Sequence, residues 1–427
     1  MHPYQSAVEH LMKGAIVITP NNRLSHELLT HFAMVQPASC LEKPCAFSYP
    51  EFLRYLFLET HFQHPTHPHP VLLSPIHLRK LWRQALATSD YPCTEGLLQE
   101  IINAWALCHT WHVNLKEDAF QQLAQHQHFL HWVHHVENQL QTLNAISEYH
   151  LPAYLQPYLA QLTLPNTLVW FCFDDYTPAQ RALHTTFKTR GYPCLTEDLV
   201  QRAATPYQLN VEEINDEYLQ LCQWLKKKSN SLQRIGIVVP TLKDEAQYIA
   251  RIISHDFDLQ DINISFSQPL STYPIVAHAL TWLTLDLTSI TQHQLRLLLT
   301  SPYLDKTPQE YIQYTQWIQD LPHLSNDSIK WSYFTQNLPA SALKTMLMSL
   351  DPYPDSATLS EWLSHFERRL KQLGFPGAIE LDSASYQCLQ RFIYLFDEFR
   401  ELALLTHLMT QQEALETIQE LANISSF

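Results

Sequence analysis

The sequence predicts a helix-dominated α/β fold built around two parallel-sheet regions, each accompanied by a large all-helical block. Three observations predict it. Short β-branched runs such as Gly14-Ala-Ile-Val-Ile-Thr-Pro20 lead directly into helical periodicities, and long stretches between them carry helical spacing alone. The chain of 427 residues also exceeds the roughly 250–300 residues at which a single core stops growing. Two domains are therefore expected, 1–205 and 206–427.

In the first domain, Gly14–Pro20 reads as a buried strand, and Asn21 or Asn22 caps a helix carrying Leu24, Leu28, Leu29 and Phe32 at helical spacing. Cys45-Ala-Phe-Ser-Tyr-Pro50 is a second extended piece that feeds a helix. A helical insertion over about 61–165 follows, opened by the His- and Pro-rich segment His61–Pro70 and free of strand signals from Leu72 to Leu164. The apolar run Asn166-Thr-Leu-Val-Trp-Phe-Cys-Phe-Asp-Asp175 restores the α/β pattern, and Thr177-Pro-Ala-Gln180 has the form of a capping box at a helix start.

The second domain repeats the theme over 206–270. Gln208–Val211, Arg234-Ile-Gly-Ile-Val-Val-Pro240 and Asn263–Phe266 are expected strands, separated by helices over Tyr218–Lys228 and from Asp244. From 271 to 427 the pattern is helical, with Pro-containing breaks.

Composition narrows the chemistry. Apolar residues make up 46% and charged residues 16%, so the chain has ample core material and is not disordered. It has only 6 Gly, which starves any mechanism that needs a glycine-rich loop. The formal charge of -15 repels polyanions overall, so a nucleic-acid contact requires a locally basic groove. The 8 Cys contain no CxxC pair, which fits the reduced thiols of a cytoplasmic protein. The first residues lack a signal-peptide pattern and no long apolar run occurs, so no membrane association is expected.

The order of sheet, helical insertion, sheet, then second sheet and helical block resembles a superfamily 1 helicase. Local stretches are similar to the AddB-like "probable DNA repair protein" family: Val17-Ile-Thr-Pro-Asn-Asn-Arg-Leu24, Leu73-Ser-Pro-Ile-His-Leu-Arg-Lys-Leu-Trp82, Phe171-Cys-Phe-Asp-Asp-Tyr-Thr-Pro-Ala-Gln180, Ile237-Val-Val-Pro240, Ser267-Gln-Pro-Leu-Ser-Thr-Tyr-Pro274 and Leu373-Gly-Phe-Pro-Gly377. Each is a strand end, cap or turn, and their value is joint. The resemblance implies two RecA-like (P-loop NTPase-type) domains with helical insertions, forming an inactivated helicase-like region that normally precedes a PD-(D/E)xK nuclease. The chain departs from that pattern in two ways. It stops where the family would complete its second RecA-like sheet, and it carries no nuclease motif, as expected of a fragment or of a relative that has lost the nuclease.

A working P-loop requires GxxxxGK[ST], and no such run is present. The first strand ends in Thr19-Pro20-Asn21-Asn22-Arg23, where Pro20 removes a donor and no Lys follows. Arg23 is a candidate phosphate contact whose ordinary role would be a salt bridge. Asp174 and Asp175 occupy a degenerate Walker B-like position, where capping the next helix is the plainer role and metal binding the sharper one. His61, His64, His67 and His69, and on a helix His126, His128, His131, His134 and His135, resemble metal tracts, although an exposed loop and a solvated helix face are the plainer readings. No GxSxG or HExxH motif supports hydrolase chemistry. The basic clusters Lys226, Lys227 and Lys228, and Arg368 and Arg369, are candidate DNA contacts or ordinary solvated helix faces.

The expected function is therefore a catalytically inactive, helicase-like region of a DNA repair protein. It would use no cofactor and would hold single-stranded or forked DNA, or a partner helicase-nuclease subunit, without hydrolysing ATP. The alternative is a helical protein-interaction scaffold with no DNA role.

Overall fold

The computed structural model describes residues 3–35, 44–164, 167–199, 205–228, 235–257, 263–264, 268–319 and 328–425. Helices dominate, and the chain divides into two compact units, Met1–Thr205 and Pro206–Phe427.

The first unit contains α1 (Gln5–Met12), β1 (Ile16–Thr19), α2 (Asn22–Val35), β2 (Ala46–Ser48) and α3 (Tyr49–Gln63). An insertion follows, with β3 (Val71–Leu72), α4 (Pro75–Leu86), α5 (Glu95–Thr110), α6 (Ala119–Gln122), α7 (Ala124–Thr142), β4 (Ala145–Ile146) and α8 (Leu151–Leu155). The unit closes with β5 (Leu168–Phe171), α9 (Pro178–Thr189) and β6 (Cys194–Glu197). Four strands form one parallel sheet in the order β2-β1-β5-β6, with Val17 opposite Ala46 on one side and opposite Val169 on the other.

Strand alternation sends Ile16, Ile18, Leu168 and Trp170 to one face, against Phe52, Leu56, Leu155, Leu183 and Phe187. Val17, Val169 and Phe171 point to the other, against Val8, Leu11, Leu28 and Phe32 of α1 and α2. Both faces are covered, which is why β1 and β5 read as unbroken apolar runs. The edge strand β6 is half-buried at its ends and exposed at Leu195 and Thr196, and it gave no such signal.

Thr177 caps α9 as its sequence suggests. Its Oγ1 accepts the Gln180 N–H at 3.3 Å, while Gln180 Oε1 accepts the Thr177 N–H at 2.9 Å. Thr177→Ala should cost about 1 kcal/mol in a denaturation experiment. An unchanged transition would show that packing alone starts this helix.

The insertion is not wholly helical: β3 and β4 form a two-residue parallel pair. Its core centres on Trp82 and Trp105, both fully buried, with ring centroids 5.5 Å apart and nearly perpendicular planes.

The second unit begins with α10 (Ile214–Lys228) and α11 (Leu242–Ser254), joined through Tyr218, Leu225, Ile249 and Ile253. A helical array follows: α12 (Pro274–Leu283), β7 (Ser289–Thr291), α13 (Gln292–Thr300), α14 (Pro308–Gln319), β8 (Ser328–Lys330), α15 (Trp331–Asn337), α16 (Ala342–Met348), β9 (Ser356–Thr358), α17 (Leu359–Gln372), α18 (Ser383–Glu401), β10 (Leu408–Thr410) and α19 (Gln411–Ile424). The short strands pair antiparallel, β7 with β8 and β9 with β10. Gly374 and Gly377 both have positive φ, and a Cβ at either would approach the backbone or Cβ of residues 302–305 to 2.9 Å. That close approach explains the glycines of Leu373–Gly377.

Among the described residues the second parallel sheet is not formed: Gln208–Val211, Ile235–Val239, Asn263 and Ile264 have no strand pairing, and Arg234 and the rest of the strand expected over Asn263–Phe266 lie outside the described residues. Ile235 and Val239 pack partly on the α10–α11 core, whereas Val238 is 92% exposed. A strand requires lateral hydrogen-bonding partners, and none of the described residues supplies them here.

Candidate functional site

The chain leaves β1 for β2 on one side of the sheet and later enters β5 on the other side of β1. The carboxyl ends of β1 and β5 therefore lie side by side at a topological switch point, where open α/β sheets bind ligands. From β1 this crevice receives Thr19, Pro20, Asn21, Asn22 and Arg23, and from β5 it receives Cys172, Phe173, Asp174 and Asp175.

The N-terminus of α2 is closed by its own sequence. Asn21 Oδ1 accepts the Leu24 N–H at 3.0 Å, Asn21 O accepts the Ser25 N–H at 3.4 Å, and Pro20 has no N–H to give. Thr19 Oγ1 donates to Asn21 O at 2.9 Å, holding the turn. The Leu24 N–H, one of the end donors a phosphate could use, is thus engaged within the turn. Arg23 is exposed at the start of α2.

Asp174 and Asp175 are exposed just beyond β5. Asp175 Oδ1 accepts the Tyr176 N–H at 2.7 Å and lies 3.7 Å from Arg181 Nη2. The helix-capping role read for this pair is corrected, because Thr177 holds the cap. Cys172 has φ 60°, in the left-handed region, and its N–H donates to Glu197 O at 2.8 Å. Burial pushes its thiol above the ordinary value, and Asp198 and Asp174 add to that, so it is a poor nucleophile. With two carboxylates and a self-capped helix, this crevice disfavours a triphosphate.

The basic residues of the second unit fall on separate elements. Lys226, Lys227 and Lys228 are exposed in the last turn of α10, complementing the helix dipole, with Asp216 and Glu217 in its first turn. Lys226 Nζ pairs with Asp256 Oδ1 at 2.8 Å. Arg368 is exposed on α17.

Arg369 is a correction. It is 2% exposed; its guanidinium donates to Leu285 O at 3.2 Å and Asp351 O at 2.7 Å, and it stacks 4.1 Å from the Tyr353 ring centroid. Adjacent helix positions point about 100° apart, so Arg368 faces water while Arg369 enters the core and cannot contact DNA.

The histidine tracts also differ from expectation. His61, His64 and His69 are half-buried rather than looped out, and only His67 is exposed. His61 Nδ1 lies 2.7 Å from Phe57 O, and His69 bonds Tyr154 Oη at 2.9 Å and His64 O at 2.8 Å. On α7, His131 and His134 are exposed, while His126, His128 and His135 are half-buried.

Among the described residues, one metal-capable group of three His, Cys, Asp or Glu side chains converges, and it was not anticipated: His109, Glu137 and His150. Glu137 Oε2 lies 3.3 Å from His150 Nε2, and Oε1 lies 3.7 Å from His109 Nε2. Trp105 Nε1–H donates to Glu137 Oε1 at 3.2 Å. Burial alone would raise the Glu137 carboxyl, but its bonds to His109 and His150 bring it down to about 2. The three residues are far apart in sequence with no ligand-motif spacing, so no local signal could have found them.

A scan against protein-family models finds no match to the chain, and a search of curated proteins finds no similar one. Among the described residues, no helix is long and apolar enough to cross a membrane.

Proposed function

We propose that the chain is a helicase-like region that holds DNA, or a partner helicase-nuclease subunit, without hydrolysing ATP. One observation carries this reading: a parallel sheet with a central first strand and a mainly helical insertion before β5, whose switch point has Pro20 and a self-capped α2 in place of a phosphate-binding loop. This arrangement keeps the framework of a nucleotide-dependent motor and lacks its phosphate cradle. The AddB-like resemblance of the strand-end sequences supports the same reading, with the first unit as a RecA-like domain. For the second unit, the finer reading as the start of another RecA-like domain rests on the strand-like pattern Arg234–Pro240. DNA would be gripped through exposed cations such as Arg23, Lys227 and Arg368.

Fluorescence anisotropy of labelled single-stranded, duplex and forked DNA tests this at about 50 mM and 200 mM salt, because phosphate contacts give a steep salt slope. Micromolar or tighter binding is expected, weakened by salt and by the double substitution Lys227→Glu with Arg368→Glu. MgATP should change neither the affinity nor its own concentration. No DNA binding at the lower salt would overturn the DNA reading. It would favour a protein-interaction scaffold, to which the formal charge of -15 and the 92% exposed Tyr207 and Val238 already point. DNA-stimulated ATP turnover would overturn the inactive-motor reading.

A further inference from the structure

Three separate segments of the first unit bring nitrogen and oxygen ligands to one point, none of them among the residues of the β1–β5 crevice. His109 lies in the last turn of α5, Glu137 in α7, and His150 ends the 3-10 turn Glu148–His150 that leads into α8. Each offers one ligand atom, and these atoms all lie within 4.8 Å of one another. Two ligands on one tetrahedral zinc, with bonds of about 2.1 Å, sit about 3.4 Å apart. The Glu137 carboxylate reaches the two imidazoles through different oxygens, Oε2 at 3.3 Å from His150 Nε2 and Oε1 at 3.7 Å from His109 Nε2, and a single cation would draw ligand atoms that already lie within 4.8 Å of one another closer together.

We propose that His109, Glu137 and His150 form a zinc-class divalent cation site that clips α5, α7 and the start of α8 together within the helical insertion. Two imidazoles and a carboxylate are a borderline N,O set that suits Zn²⁺, whereas Mg²⁺ and Ca²⁺ demand oxygen ligands. The neighbours fix where the ligands point. Ser147, only 1% exposed, holds the His150 ring by Nδ1, which accepts the Ser147 N–H at 3.3 Å and lies 2.9 Å from its Oγ, so that Nε2 is turned toward Glu137. The indole of the fully buried Trp105 fixes the Glu137 carboxylate and packs edge-on against both imidazoles, with centroids 4.7 Å and 5.3 Å away. Side-chain exposures of 28%, 37% and 19% leave an entry side and room for a water as fourth ligand.

The test titrates the chelator-stripped full chain with Zn²⁺ in competition with a chromophoric chelator. With 24 His in the chain, weak adventitious uptake is expected as a background. The proposal expects about one equivalent bound more tightly than that background, accompanied by a rise in melting temperature. His109→Asn and Glu137→Gln should each abolish the tight equivalent. His131→Gln with His135→Gln, and His64→Gln with His67→Gln, should leave it intact. Circular dichroism checks that each variant folds. Should the ligand variants misfold, X-ray absorption of the zinc-loaded wild-type chain decides the matter, with a first shell of two imidazoles and light O/N donors expected. A shell without imidazole or containing sulfur, no tight equivalent in the wild type, or its survival in both His109→Asn and Glu137→Gln would each overturn the proposal.

Discussion

Arg369→Ala should destabilise the second unit by about 3 kcal/mol, whereas Arg368→Ala, one position away, should change stability by less than about 0.5 kcal/mol. The asymmetry follows from where the helix points each side chain. The Arg369 guanidinium donates to two backbone carbonyls, Leu285 O and Asp351 O, and lies over the Tyr353 ring. Truncation removes two charge-assisted hydrogen bonds and a largely desolvated cation–π contact, and it deprives both carbonyls of that donor. Arg369→Lys should recover only part of the loss, because a single ammonium cannot span both carbonyls while stacking on the ring. Thermal or urea unfolding of the three variants measures this. Equal stabilities for the two alanine variants would show that the burial of Arg369 contributes nothing net, as happens when desolvation of a charge cancels its contacts.

Trp170→Ala should cost about 4 kcal/mol, the range for emptying a large aromatic site in a packed core. Trp170 is fully buried on β5, with ring neighbours Tyr49, Phe173, Tyr176 and His184 at centroid distances of 6.0, 5.3, 5.8 and 5.0 Å. Trp170→Phe should cost far less, about 1 kcal/mol. It keeps an aromatic ring in the cluster, and the indole Nε1 it removes makes no hydrogen bond to the protein. Denaturant midpoints of the two variants test the difference. If both lost the same stability, the indole nitrogen would have to be satisfied in solution, and the site would be polar rather than a packed apolar core.

Much of the first unit was legible locally. The strands β1 and β5 announced themselves through apolar runs flanked by turn residues, because interior parallel strands are buried on both faces, and the edge strand β2 was legible as a short extended piece feeding a helix. The start of α9 was legible from the box at Thr177. The same box recurs at Thr291 with Gln294, Thr358 with Glu361 and Thr410 with Glu413, each with its reciprocal bonds, and at Ser48 the Glu51 carboxylate accepts the Ser48 N–H. Even the fate of Arg369 was encoded, since it follows Trp362 and Phe366 on the apolar stripe of α17, and reading it as part of a basic pair overlooked that periodicity.

By itself, then, the sequence determined the helix-rich α/β character, the starts of the capped helices, the buried strands of the first sheet and the absence of a P-loop motif, because each depends on neighbours within a few residues. Tertiary structure decided the rest. Ile235–Val239 has the same apolar strand signature as β1 but finds no strand partner among the described residues, and a strand exists only where a partner strand meets its hydrogen bonds. The His109–Glu137–His150 cluster likewise arises only when α5, α7 and the turn before α8 pack together, since its geometry is set by helix packing across the insertion and not by spacing along the chain.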